Sequence, residues 1–171
     1  MTDSVWTLQN TAAAVPGARV VPGTGTQIVL QRIATDSRAC KPGDLFVALP
    51  GTQSNGSEFA SDAVQNGAVA ILASVQIDDI DVPQIVTGDV RRALAEIAAS
   101  WYGSPGEDVQ LVGITGTNGK TTTVGLVATI ALAAGTSAST IGTLGVTLNG
   151  EDVPVEISRP TTPEAHELRQ T

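Results

Sequence analysis

Residues 113–123 read GITGTNGKTTT: glycines, threonine hydroxyls and one lysine packed between an apolar run and an apolar helical pattern. Backbone N–H groups in a tight glycine turn, followed by the positive end of a helix, make a cradle for phosphate oxygens. In that arrangement Lys120 supplies a mobile positive charge for the β and γ phosphates, and the hydroxyl of Thr121 is placed to hold Mg²⁺. Gly116 and Gly119 are expected where a side chain would block the anion or where φ must be positive, and Thr117, Asn118 and Thr122 complete the loop. The strict spacing G-x-x-x-x-G-K-[ST] is not met, since the position of its leading glycine is held by Ile114. A plain strand-to-helix turn with a solvated lysine is the weaker alternative, because a cation at a helix start opposes the dipole and a bound anion removes the objection. The loop on its own implies a nucleoside triphosphate and leaves its use open.

The rest of the composition narrows the setting. Nine basic residues stand against seventeen acidic ones, a formal charge of -8, with no clustered Lys and Arg, so non-specific binding to a nucleic-acid backbone is not expected. Cys40 is the only cysteine, which excludes an intrachain disulfide, suits a reducing cytosol and reads as an ordinary free thiol. The start, MTDSVWTLQN, has neither the basic end nor the apolar core of a signal peptide, and no apolar run approaches the roughly 18 residues of a membrane span. A cytoplasmic chain without membrane insertion, acting as a monomer, is therefore expected. Apolar residues make up 42% of the chain but aromatics only 3%, so the core must be built from Ala, Val, Ile and Leu, as in α/β layers.

The elements that would position the loop follow from periodicity. The first thirty or so residues carry Gly and Pro with weak patterning, and QIVLQRIATDSR holds the first strand. GDLFVALPG is a short buried strand, and TQSNGSEFASDAVQNGA a helix with Phe59, Ala63 and Val64 on one face. AVAILAS and PQIVTG are further strands, and DVRRALAEIAASWYG a helix with Asp89 as N-cap, a stripe of Val90, Leu94, Ile97 and Trp101, and Gly103 as its stop. Ser104, Pro105 and Gly106 mark a boundary. Beyond it VQLVGIT reads as a new buried strand, residues 122–134 as a helix, STIGTLGVTLNGEDVPVEI as a strand and hairpin turning at Asn149 and Gly150, and TPEAHELRQT as the start of a helix. The fold class expected is α/β.

Three motifs, in order, carry a family resemblance. GTNGKTT at residues 116–122, TDSRACKPGDLFVALPGTQSNGSEFASDAVQNGAVAIL at residues 35–72 and SRPTTPEA at residues 158–165 resemble the Mur ligase family, ATP-dependent enzymes that form amide bonds through an acyl phosphate. The second motif is similar to the uridine-nucleotide domain of the MurE-type and MurF-type members, and the third matches the MurE type, which adds the third peptide residue to UDP-N-acetylmuramoyl-L-alanyl-D-glutamate. The resemblance implies a small uridine-nucleotide-binding α/β domain over residues 1–105, followed at 106–171 by the opening of a P-loop ATPase domain, in a family whose members have three domains. MurF-type ligation of D-alanyl-D-alanine, folylpolyglutamate synthesis and a non-catalytic nucleotide-binding module are the alternatives.

The same resemblance assigns roles. Ser37, Gln53 and Ser54 would contact the uracil and ribose, with plain turn and capping chemistry the even alternative for the two serines. Asp36 and Arg38 around Ser37 could be a local ion pair. Thr161 and Thr162 would hold the pyrophosphate or muramoyl part, although Thr162 before Pro163 is also a good helix N-cap. ATP would phosphorylate the D-glutamyl carboxylate, with Lys120 as the catalytic cation and Mg²⁺ on Thr121, before the amine of meso-diaminopimelate, or of L-lysine, attacks. The remaining metal ligands, a carbamylated lysine and the amino-acid selecting domain would lie further on, so these 171 residues alone are expected to be inactive. His166 matches no functional position and reads as a solvated helix histidine.

Overall fold

A computed structural model describes residues 6–23, 28–51, 55–103, 109–154 and 164–170. The chain divides into two compact units, Met1–Gly103 and Ser104–Thr171.

In the first unit β2 (Arg32–Ala34), β3 (Asp44–Val47), β4 (Ala68–Ala73) and β5 (Gln84–Val86) run parallel, and β1 (Arg19–Val21) adds antiparallel to β5. The order is β1-β5-β4-β3-β2. The short buried strand and the continuous apolar run of the sequence, β3 and β4, lie inside the sheet, each with a strand on either side and almost wholly buried. Phe46, Ala48, Ile71 and Ala73 pack with Ala60 and Ala63 of α2 (Ala60–Gln65) and with Cys40 into one cluster. Their neighbours Leu45, Val47 and Leu72 are just as buried and, by strand alternation, point to the opposite face. Phe59 does not join the α2 face. It closes a 3-10 turn, Gly56–Phe59, whose tighter winding carries it off the buried stripe and leaves it 40% exposed.

Helix α3 (Val90–Tyr102) has the expected anatomy. Asp89 Oδ1 accepts the amide of Arg92 at 3.0 Å, Val90, Leu94, Ile97 and Trp101 are buried, and Gly103 follows at φ +78°. A short helix escapes the sequence patterning: α1 (Leu8–Ala13), capped by Thr7, packs against α3. Trp101 stacks on Trp6 with ring centroids 5.2 Å apart and donates through Nε1 to the hydroxyl of fully buried Thr11 at 3.3 Å. The connection from β4 to β5 has no helix. Instead the buried Gln84 side chain accepts the amide of Ile77 at 2.8 Å and donates to its carbonyl at 2.7 Å, pinning that loop.

The second unit holds α4 (Lys120–Ala133) and a three-stranded antiparallel sheet, β6 (Ser139–Gly142), β7 (Gly145–Leu148) and β8 (Glu151–Val153). Asn149 and Gly150, both at positive φ, make the two-residue turn between β7 and β8. The Asn149 side chain also accepts the amide of Ala138 at 3.1 Å, tying the turn to the chain entering β6. The expected strand VQLVGIT does not form: residues 109–115 are irregular and Leu111 is 80% exposed. A strand apolar on both faces needs a sheet to join and layers to cover it, and among the described residues of this unit the three-stranded sheet β6-β7-β8 does not include it. Helix α5 (Ala165–Gln170) follows, and its His166 is buried rather than solvated. The helical spacing fixes which residues share a face, but not which face is covered.

Candidate functional site

The chain leaves β2 and returns to β3 through a 3-10 turn, Ser37–Ala39. Asp36 Oδ1 accepts the amide of Arg38 at 3.0 Å, and Arg38 grips the same carboxylate with Nε and Nη2 at 3.0 and 2.7 Å. Asp36, not Ser37, is therefore the cap, and the Asp36–Arg38 pair is the local ion pair the sequence allows. The Arg38 hydrogen bond holds the Asp36 carboxyl below the usual aspartate range, against an opposing effect of burial. At the surface the pair adds little stability, and that little is present at neutral pH and lost as the pH falls through the lowered pKa.

Beneath the turn lies a stronger pair. Arg32 and Asp44 are partners across the parallel register of β2 and β3. Arg32 Nε and Nη2 donate to Asp44 Oδ1 and Oδ2 at 3.1 and 2.6 Å, and Nη2 also reaches the carbonyl of Ala39 at 2.6 Å. The amide of Lys41 donates to Asp44 Oδ2 at 2.8 Å. The guanidinium fork thus joins two strands and the end of the turn. Ser37 sits on this frame only 6% exposed, its carbonyl accepting from Asn66 Nδ2 at 3.0 Å. Cys40, also buried, donates its thiol to the carbonyl of Asp36 at 3.6 Å. Burial first, then the Asp44 carboxylate, pushes its pKa up to about 11, so the thiol expected to be ordinary is an inert one.

Ser37 lies past the carboxyl end of β2. Pro50 and Asn55, past the carboxyl end of the adjacent β3, pair in an isolated antiparallel bridge that ties together the ends of the loop between them. In open α/β sheets, ligands bind at the carboxyl ends of parallel strands. Gln53 and Ser54, within that loop, lie outside the described residues, as do Thr161 and Thr162.

In the second unit the glycine loop opens α4 without a side-chain cap. The first intrahelical bond is from the amide of Thr123 to the carbonyl of Gly119 at 2.9 Å, so the amides of Lys120, Thr121 and Thr122 precede any intrahelical acceptor. Gly116 and Gly119 stand at φ +151° and +79°. Gly116, Thr117, Asn118 and Gly119 are exposed, as are Thr121 and Thr122, while Lys120 is half-buried. Lys120 Nζ donates back across the loop to the carbonyl of Gly116 at 2.6 Å, which parks the ammonium over the turn. Thr123 turns its hydroxyl onto the Gly119 carbonyl at 2.9 Å, whereas Thr121 borders, with Lys120, a groove of about 290 Å³ between α4 and the β6–β7 hairpin. Open amides, positive-φ glycines and a lysine fit a polyphosphate, and a hydroxyl at Thr121 fits one ligand of a hard cation that takes its other oxygens from phosphates and water. Among the described residues no group of three or more His, Cys, Asp or Glu could hold a metal by itself. No helix of the described residues is long and apolar enough to cross a membrane.

Two family models match the chain in sequence: the Mur ligase family catalytic domain over residues 29–102 and the Mur ligase middle domain over residues 114–171. The chain belongs to the Mur ligase family. A UDP-N-acetylmuramoyl-L-alanyl-D-glutamate--2,6-diaminopimelate ligase of Syntrophomonas wolfei subsp. wolfei is 44% identical over 137 residues, 80% of this Mur ligase chain and 27% of that protein. A solved structure of a ligase with the same name superposes over 98% of this chain and 32% of its own, with a TM-score of 0.67, and at 24% identity it attests the fold. MurF from Acinetobacter baumannii is 30% identical with a TM-score of 0.57, over 76% of this chain and 28% of its own. The Mur ligase chain thus spans about a third or less of the length of these relatives.

Two outcomes test the frame under Ser37. Replacing Arg32 by Met strands the buried Asp44 carboxylate and is expected to cost about 3 kcal/mol, read as a lower urea midpoint at constant slope; an unchanged midpoint would deny the pair its structural role. With a pKa of about 11, Cys40 is thiolate in roughly one molecule per thousand at pH 8. Iodoacetamide should therefore alkylate it slowly in the folded chain and readily in urea, as followed by mass; equal rates would contradict its burial.

Proposed function

We propose that the chain is the substrate-binding domain and the opening of the ATPase domain of an ATP-dependent ligase of peptidoglycan precursor synthesis. The reaction joins meso-diaminopimelate to the D-glutamyl carboxylate of UDP-N-acetylmuramoyl-L-alanyl-D-glutamate. The observation that carries this reading is the uncapped start of α4 with Lys120 folded over it, in a chain that keeps 44% identity to a ligase of that name. The terminal D-alanyl-D-alanine ligation is the second reading, favoured by the 30% identity to MurF, and the TTPEA segment argues for the first.

The division of labour follows from the two units. In the first, Ser37, with Gln53 and Ser54 of the neighbouring loop, binds the uridine by hydrogen bonds to an uncharged base and sugar, chemistry that short hydroxyl and amide side chains perform without a cation. Thr161 and Thr162 would take the anionic or sugar part of the same molecule. In the second, the amides of residues 120–122 receive phosphate oxygens, and Lys120 exchanges its bond to the Gly116 carbonyl for the transferring phosphoryl group. A cation beside a charge that spreads over equatorial oxygens is the largest help a protein can give phosphoryl transfer. Thr121 would hold Mg²⁺, which would supply positive charge to offset that of the nucleotide's phosphates. The substrates, two nucleotides and an amino acid, are water-soluble, which suits a cytoplasmic location.

Calorimetric titration of the chain with the UDP-muramoyl dipeptide and, separately, with ATP·Mg²⁺ tests both halves. Lys120→Ala is expected to weaken ATP by at least about 100-fold while the sugar nucleotide binds as before; undiminished ATP binding would sink the phosphate reading. The chain by itself should release no phosphate from ATP in the presence of dipeptide and diaminopimelate. Release that requires both would show that these residues already hold a complete active centre.

A further inference from the structure

One side chain touches the backbone of Ser37 from a different element. Asn66, the C-cap just after α2, lies 29 positions further along the chain and is itself exposed, yet its Nδ2 donates to the Ser37 carbonyl at 3.0 Å. The backbone behind it is tightly placed. The amide of Asn66 donates to the carbonyl of Asp62 at 3.0 Å, and Gly67 follows at φ +114°, where a Cβ would stand 2.5 Å from the nitrogen of Pro42. The carbonyl of Gly67 accepts the amide of Gly43 at 3.2 Å. Residues 66 and 67 are thereby locked against the far end of the same turn that carries Ser37, and the Asn66 amide is aimed from a fixed base. The Ser37 carbonyl and the Arg38 amide belong to one peptide group: Asp36 Oδ1 takes its N–H at 3.0 Å, the Cys40 amide donates to its oxygen at 3.3 Å, and Asn66 is the side chain that reaches that oxygen from another element.

We propose that Asn66 is a positioning residue for uridine-nucleotide binding: by holding the carbonyl of Ser37 it ties to α2 the peptide plane that Asp36 and the Cys40 amide hold within the turn, and from which the Ser37 side chain projects. The assignment rests on the reading of Ser37 as a ligand contact. A hydrogen bond to a ligand loses strength with small changes in distance and angle, and a nearly buried serine cannot recover them by moving freely. Ordering the peptide before the ligand arrives also spares that cost on binding. Asn66 makes this contribution without touching the nucleotide, and because it is exposed its removal opens no cavity.

A double-mutant cycle in calorimetry decides it, using the 171-residue chain and the UDP-muramoyl dipeptide as probe. Asn66→Ala should raise Kd by roughly 3- to 10-fold, the worth of one hydrogen bond, with the thermal midpoint nearly unchanged. In a Ser37→Ala background the same change should do almost nothing, and Asn66→Gln, which keeps an amide donor, should restore part of the affinity. A merely structural role would lower the midpoint and act equally in both backgrounds. Equal losses in both backgrounds, an unchanged Kd for Asn66→Ala, or a Gln variant as weak as the Ala variant would each overturn the proposal and leave the Ser37 reading standing. If the parent chain does not bind the sugar nucleotide, or if Ser37→Ala binds as well as the parent, the reading of Ser37 fails and the proposal with it.

Discussion

A carboxylate that is 1% exposed has to be paired, and in this chain the pairing of Asp44 organises the connection that carries the chain from β2 to β3. Its partner Arg32 is on the neighbouring strand, so the ion pair sets which residue of β2 faces which residue of β3. The same guanidinium caps the turn at Ala39, and the same carboxylate takes the amide of Lys41. One charge pair thus fixes register, turn and re-entry together. The register shift between β3 and β4 falls at Asp44 and Leu45, where the strand must carry a buried charge on one side and a core leucine on the next. Taking the charges out of water is costly, and a leucine pair would hold two strands as well. What an apolar pair would not do is hold three backbone segments in one geometry, and that is what a ligand-binding turn needs.

The sequence makes the first unit legible where burial is continuous. β4 reads as an unbroken aliphatic run and β3 as a short apolar strand after Asp44 because both faces are covered, and α3 reads as a helix because its stripe, its Asp89 cap and its Gly103 stop agree. α1 and β1 are not legible in the same way. Each has six residues or fewer, and α1 owes its place to Trp101, ninety positions away, through a stack and one hydrogen bond. Periodicity within a segment carries no trace of such a partner. Phe59 shows the complementary error. The spacing from Phe59 to Ala63 is helical, but the residue before Ala60 is wound in a 3-10 turn, so the face it shares on paper is not shared in space.

The site residues divide along the same line. The loop around Lys120 announces itself because its chemistry lies in consecutive residues: the glycines, the lysine and the hydroxyl need only a helix behind them. The supports of Ser37 do not, since Arg32, Asp44 and Asn66 come from β2, β3 and the end of α2. A signal for Asp44 was present in an acidic residue standing directly before Leu-Phe-Val, a position where an ionised side chain is dragged into the core and must find a cation. Asn66 offered none, because an Asn-Gly pair at a helix end has a sufficient reason to exist as a C-cap.

The second unit shows the limit of local information from the other side. α4 forms although its apolar residues surround it, and Leu126 and Ile130 stay exposed. A helix of this kind belongs to an interior. Its backbone bonds close within the helix and at the Gly135 stop, where the amides of Gly135 and Thr136 return to Leu132 and Ala131. Residues 109–115 are equally apolar but remain irregular, because a strand cannot satisfy its backbone groups alone. The difference between the two segments is therefore one of hydrogen bonding and not of hydrophobicity. It explains why the phosphate loop keeps its shape on the helix side, at Gly119 and Lys120, while the strand side is the part of the loop that depends on neighbours in the sheet.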